Sequence, residues 1–294
     1  MLRLLCPALL LCFALQSASA HPPTSLVADS RGNLFFSDLN NVWMVSPAGE
    51  AQIVVRHVHA HELYVDAEDR LFGEDVTNVG DLYRHRVWVR RPDGSVTNVL
   101  DWRGGHPTDL DDYSFVRNAQ HQFVLSNARR SLEVRTSNGW GPSSAPVMRI
   151  LPLPSGGNVH FASVSANGIV FVAIGSNLWR WDGSADSRFT KLTGDLSGTS
   201  DMFSFVQDRH ALMGMWPDES GGIYVADYRG RRLWRVLDNG TKSVVYRSDG
   251  NWSPSGGMIQ GPDLLVLEWS VTNQGRVVRI RPDGSKVVYS TGSD

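Results

Sequence analysis

Nine histidines occur in the 294-residue chain. Three of them stand at alternate positions, His57, His59 and His61, followed at once by Glu62. In an extended backbone, alternate side chains leave on the same side, so two or three imidazoles converge there. Three readings are open: a metal site, a proton-transfer site, or packing groups. A divalent metal would find ligands in such a set, because neutral imidazole binds it directly. Zinc or another imidazole-preferring ion suits the histidines, whereas calcium prefers oxygen.

The elements that position these residues are read from an internal repeat. Turn pairs recur as Ala48-Gly49, Asp93-Gly94, Asn138-Gly139, Asp182-Gly183, Asn239-Gly240 and Asp283-Gly284. The glycines are spaced 45, 45, 44, 57 and 44 residues apart. Trp43, Trp88 and Trp234 each precede their glycine by six residues, with Val278 at the same place in the last copy. Between the turns lie short β-branched and aromatic runs such as LFFSD, IVFVA, IYVAD and LLVLE, which read as strands. No helical periodicity is evident after the N-terminal segment. Four short strands per copy, six times over, predict an all-β fold: a six-bladed β-propeller of four-stranded antiparallel blades. Each copy carries its own four strands, so the first and last blades are expected to meet by side-chain packing alone.

In each blade the start of the first strand lies beside the end of the second. That rim gathers His59, His61 and His160 with Asp38, Glu74, Asp75, Asn127, Asp227 and Glu268. Turn chemistry favours Asp38 and Asp227 as caps of the following turn. A glutamate caps turns poorly, which leaves Glu74 and Glu268 as candidates for chemistry. The metal set read from the rim is His59, His61, Glu74, Asn127, His160 and Asp227, with His61, Glu74 and Glu268 as catalytic groups. Arg129, Trp216, Tyr228 and Trp269 are the candidate substrate contacts. Two irregular stretches, DWRGGHPTDLDD and TKLTGDLSGTSDMFSFVQDRH, are candidate lids.

Residues 1–20 carry Arg3, an apolar run from Leu4 to Leu15 and a small-x-small end at Ala18-Ser19-Ala20. This is the pattern of a cleaved secretory signal, so a secreted or periplasmic domain of residues 21–294 without a membrane anchor is expected. Both cysteines, Cys6 and Cys12, lie in that segment, leaving the rest without thiol or disulfide. Removing Arg3 leaves 27 Lys and Arg against 30 Asp and Glu, a balance that argues against nucleic acid as a partner. A monomer binding a small molecule, glycan or peptide at the channel mouth is expected.

The units LVADSRGNLFFSDLNNVWMVSPAGE and MWPDESGGIYVADYRGRRLWRVLDNGT resemble NHL repeats. Over roughly residues 25–290 the chain is similar to the superfamily of senescence-marker and gluconolactonase-like six-bladed propellers. That resemblance implies a divalent cation at the channel mouth, held by Glu, Asn and Asp, that polarises a lactone carbonyl and activates water. Asn127 and Asp227 fall at suitable strand ends, and Glu74 and Glu268 would complete the set. The first inner strand, reached through PPTSLVAD, lacks the glutamate the family places there. The resemblance also leaves open a metal-dependent lyase, and a non-catalytic propeller that binds a ligand or protein.

Overall fold

The computed structural model describes residues 22–79, 82–106, 122–127, 131–136, 147–154, 159, 161–184, 187–198, 200–207, 210–218 and 220–291. The signal-like segment, Arg129, His160 and Gly139 lie outside them, as does the side chain of Asn127.

Six antiparallel sheets follow one another along the chain, each built of consecutive strands. The first holds β1 (Leu26–Ala28), β2 (Leu34–Ser37), β3 (Asn41–Val45) and β4 (Ala51–Arg56). The second holds β5 (Leu63–Val65), β6 (Leu71–Val79), β7 (Leu82–Arg90) and β8 (Val96–His106). The third has three strands among the described residues: β9 (Gln122–Asn127), β10 (Ser131–Thr136) and β11 (Val147–Pro152). The fourth holds β12 (Phe161–Val164), β13 (Val170–Ile174), β14 (Asn177–Trp181) and β15 (Thr190–Thr193). The fifth holds β16 (Leu212–Pro217), β17 (Ile223–Asp227), β18 (Arg232–Val236) and β19 (Lys242–Arg247). The sixth holds β20 (Trp252–Gln260), β21 (Asp263–Ser270), β22 (Gly275–Ile280) and β23 (Lys286–Ser290). Five sheets are thus complete four-stranded blades, where the repeat predicts six.

The first strands of the sheets form the inner wall. β1 touches both β5 and β20, β20 touches β16, β16 touches β12, and β12 touches β9. The fold is a β-propeller. Its first and last sheets share no strand: Leu26, Leu34 and Phe36 bury against Leu265, Leu267 and Val277. A backbone strap adds to this junction. The Thr24 N–H donates to the His61 carbonyl at 3.1 Å, while a Cβ on Gly256 of β20 would fall 1.9 Å from the Thr24 carbonyl oxygen. Only glycine leaves room there.

Among the described residues, apolar clusters also fill the contacts between the first and second, third and fourth, fourth and fifth, and fifth and sixth sheets, for instance Phe35, Val42 and Val55 against Leu63, Leu71 and Trp88. The repeat glycines Gly49, Gly94, Gly183, Gly240 and Gly284 all take φ between 82° and 92°, the left-handed value their tight turns require. Asp29, Asp66 and Asp218 cap the inner turns identically, each carboxylate accepting the N–H groups two and four residues on. No described helix is long and apolar enough to cross a membrane.

Both stretches read as loops begin as strand. Asp101–His106 is the end of β8, and Thr190–Thr193 is β15, the fourth strand of its blade. Local Gly and Asp content pointed to irregular chain, but pairing with neighbouring strands prevails. The remainder of the second stretch includes a short 3₁₀ turn, Asp201–Phe203, and packs down through Leu196, Phe203 and Val206. β6 and β21 also run further than the repeat suggests, so Glu74 and Glu268 are mid-strand residues.

Gly73 of β6 offers a direct test of this packing. Its Cβ position lies 2.2 Å from Cζ2 of the buried Trp88 ring. Gly73→Ala should cost about 1–3 kcal/mol by overpacking, seen as a lower denaturant midpoint with an unchanged slope. An unchanged midpoint would show that Trp88 yields freely.

Candidate functional site: a histidine pair over two carboxylates

The histidine stretch is not a strand. His57 adopts φ 57° and is exposed, the chain turns there, and β5 begins only at Leu63. Alternation nevertheless holds: Val58 and Ala60 are buried in the core, while His59 and His61 leave on the other side. Their Nε2 atoms lie 3.0 Å apart, with the rings edge to face at a centroid distance of 4.7 Å. With one Nε2 protonated and the other bare, the contact is an N–H···N hydrogen bond.

Two carboxylates of β6 hold this segment in place. Glu74 Oε1 accepts the N–H groups of His61, at 2.8 Å, and of Glu62, at 3.3 Å. Asp75 Oδ1 accepts the His59 N–H at 3.0 Å, and the Val76 N–H returns to the His59 carbonyl at 3.2 Å. Asp75 is itself fixed by Arg86 of β7, whose Nε and Nη2 meet Oδ2 at 2.9 and 2.7 Å. Glu74 is only 3% exposed, and its carbonyl accepts from Trp88 Nε1 at 2.7 Å. Two backbone N–H groups on one carboxylate oxygen are charge-assisted hydrogen bonds and offset part of the cost of burying it. The arrangement fixes both imidazoles with respect to the backbone.

The remaining candidates separate from this cluster. Asp227 is fully buried and accepts from the Gly198 and Gly230 N–H groups and from Arg232 Nε, at 2.7–2.8 Å. Burial nonetheless holds its pKa above the ordinary carboxylate value, with those three donors pulling the other way. Its work is the one turn chemistry predicts, extended to anchoring the loop at Gly198; Asp38 does the same locally for Asn40 and Asn41. Glu268 is likewise fully buried, between Arg276 Nε at 2.5 Å and the Tyr246 hydroxyl at 2.9 Å. Burial first, and the Glu268 charge second, push the Tyr246 pKa far up, so this hydroxyl remains a donor. The triad ties β19 of the fifth sheet to the sixth.

Trp216, Tyr228 and Trp269, read as substrate contacts, are instead buried together in one apolar cluster with Phe203 and Leu39. Their area is worth more between sheets than at a wet mouth. Among the described residues, no group of three or more His, Cys, Asp or Glu is placed to hold a metal ion. Of the expected six-ligand set, His160 and the Asn127 side chain lie outside the described residues, and among the rest the two imidazoles alone come together. Two nitrogens 3.0 Å apart are compatible with one shared ion at about 2.0–2.1 Å from each, but the carboxylates beneath are turned to the backbone.

Searches for relatives concern the fold. No protein-family model and no curated protein sequence matches the chain. Among solved structures, the chain is similar to a streptogramin B lyase, at 12% identity over 95% of this chain and 86% of that one, with a TM-score of 0.55. A nidogen–laminin complex matches at 14% identity over 88% and 93%, with a TM-score of 0.59. A gluconolactonase from Xanthomonas campestris matches at 12% identity over 88% and 83%, with a TM-score of 0.51. Identities this low establish the propeller fold and nothing finer.

Sequence reasoning missed Asp75–Arg86 as the brace beneath His59. The signal was present in RHRVWVR, where Arg84 and Arg86 alternate opposite Asp75 and Thr77. Glu74→Ala should leave the His61 and Glu62 N–H groups unpaired, at a cost of about 1–3 kcal/mol. Glu74→Gln keeps an acceptor oxygen and should retain most of that stability. Urea titrations of both variants decide the point: equal losses would mean that the carboxylate does not hold the loop.

Proposed function

We propose that the protein is an exported propeller hydrolase acting on lactone or ester bonds, with His59 and His61 as its acid–base pair. The observation that carries this reading is the 3.0 Å Nε2–Nε2 contact, on a segment whose backbone two β6 carboxylates hold. A bare imidazole nitrogen takes a proton from attacking water, and the protonated partner returns one to the leaving oxygen. Fixed main-chain anchors keep both rings oriented through that exchange. Gluconolactonase and streptogramin B lyase among the structural neighbours show that this fold accommodates bond-cleaving sites. Were a divalent cation of the zinc type held through the same two nitrogens, neither could act as acid or base, and polarisation of the carbonyl would take the place of that exchange. In this reading the three-stranded sheet takes third place among six blades, and residues 1–20 are removed on export. Intact-mass measurement of exported protein, expected to begin at His21, tests the last point.

The deciding experiment is hydrolysis of a panel of aryl esters and lactones by wild type, His59→Gln and His61→Ala, with and without added zinc and chelator. Loss of about 10²–10⁴-fold in kcat/KM in either variant, with an unchanged thermal midpoint, is the expected result. Hydrolysis that survives both substitutions would sink the assignment. A ligand-binding propeller without catalysis is the second reading. It would show as no turnover on any panel substrate.

A further inference from the structure

β6, β7 and β8 continue past Glu74 as one three-stranded extension, reaching Val79, starting again at Leu82 and ending at His106. Register places Asp75 opposite Arg86 and Thr77 opposite Arg84, while His85 pairs with Arg103. Asp75, Thr77, Arg84, Arg86 and Trp102 therefore share one face, and His85 is buried on the other. On this face the Arg84 and Arg86 guanidinium carbons stand 5.6 and 4.9 Å from the centroid of the same Trp102 ring.

The two arginines differ in how their charge is met. Arg86 is neutralised by Asp75, just as Arg232, Arg235 and Arg276 each meet a carboxylate within 2.8 Å. Among the described residues, Arg84 meets no carboxylate and lies against the Trp102 ring. Two cations thus share one indole with a single counter-charge between them. An anion set against the Arg84 guanidinium, at the edge of the Trp102 ring, would relieve that repulsion and find a planar fork of donors ready to receive it. The face is contiguous with the histidine pair, because Asp75 bonds Arg86 through one oxygen and the His59 N–H through the other.

We infer that Arg84 and Trp102 form an anion-recognition platform that receives a carboxylate or phosphate group of the ligand, with Arg86 and Asp75 holding it beside His59. This deepens the hydrolase reading and rests on it for what lies at the ligand's other end. The platform makes Arg84 a specificity-determining residue: uncharged substrates would lose its contribution.

Calorimetric titration with inorganic phosphate and, separately, succinate tests the platform in wild type, Arg84→Gln, Arg84→Lys and His61→Ala. Trp102 fluorescence supplies a second readout. Wild type should bind one or both anions saturably at millimolar concentration, more weakly as salt is added. Arg84→Gln should weaken binding at least tenfold, Arg84→Lys should recover part of it, and His61→Ala should bind as wild type. Phosphate binding without succinate binding assigns a phosphate ligand, and the reverse assigns a carboxylate. Absence of saturable binding by wild type, or an Arg84→Gln variant that binds equally well, overturns the proposal. Anion binding that persists while ester and lactone hydrolysis fails would retain the platform and reject the hydrolase reading.

Discussion

Buried carboxylates on the second strands are where the loops of this propeller are pinned. Glu74, Asp75, Asp227 and Glu268 are each almost or wholly withdrawn from water. A buried charge without partners would be costly, so each is met by main-chain N–H groups, an arginine, or both. That requirement fixes what surrounds them. Glu74 and Asp75 set the course of residues 59–62, Asp227 ties down the loop at Gly198, and Glu268 links neighbouring sheets through Tyr246. The histidine pair is a consequence of this anchoring, since its imidazoles hang from a backbone the carboxylates hold.

A division of labour follows around the ring. Large aromatic side chains that seemed suited to a binding mouth, Trp216, Tyr228 and Trp269, are used between sheets, as is the repeat tryptophan Trp88. Polar chemistry is concentrated instead on the second sheet, whose extended strands carry the histidine brace and the arginine–tryptophan face side by side. A repeat fold thereby acquires one blade with a polar face of its own.

Much of the architecture was legible because turns and strands are local. The glycine spacing, the Asp caps and the separate strands of each copy followed from short-range chemistry, and the glycines do take the left-handed conformation. The convergence of His59 and His61 was legible for the same reason, although the segment is a pinned loop and not a strand. What escaped notice depends on partners distant in sequence. Nothing local marks Glu268 as the mate of Tyr246, or Trp216 as an inter-sheet filler, because those roles are assigned by a neighbouring blade. The glycine-containing DWRGGH was read as loop, so Trp102 was never considered beside Arg84 and Arg86.

The junction at Thr24 has a kinetic meaning. Every sheet is assembled from consecutive strands, so each can form from contacts short in sequence as the chain emerges. Joining β1 to β20 is different: Thr24 must find Gly256 after all the intervening sheets have been made. Until then the circle is an open arc whose two ends expose Leu26, Phe36, Leu265 and Leu267 to solvent and to other molecules. This junction spans nearly the whole chain, so closing the circle is where loop-closure entropy weighs most and where arcs from two chains could interlock.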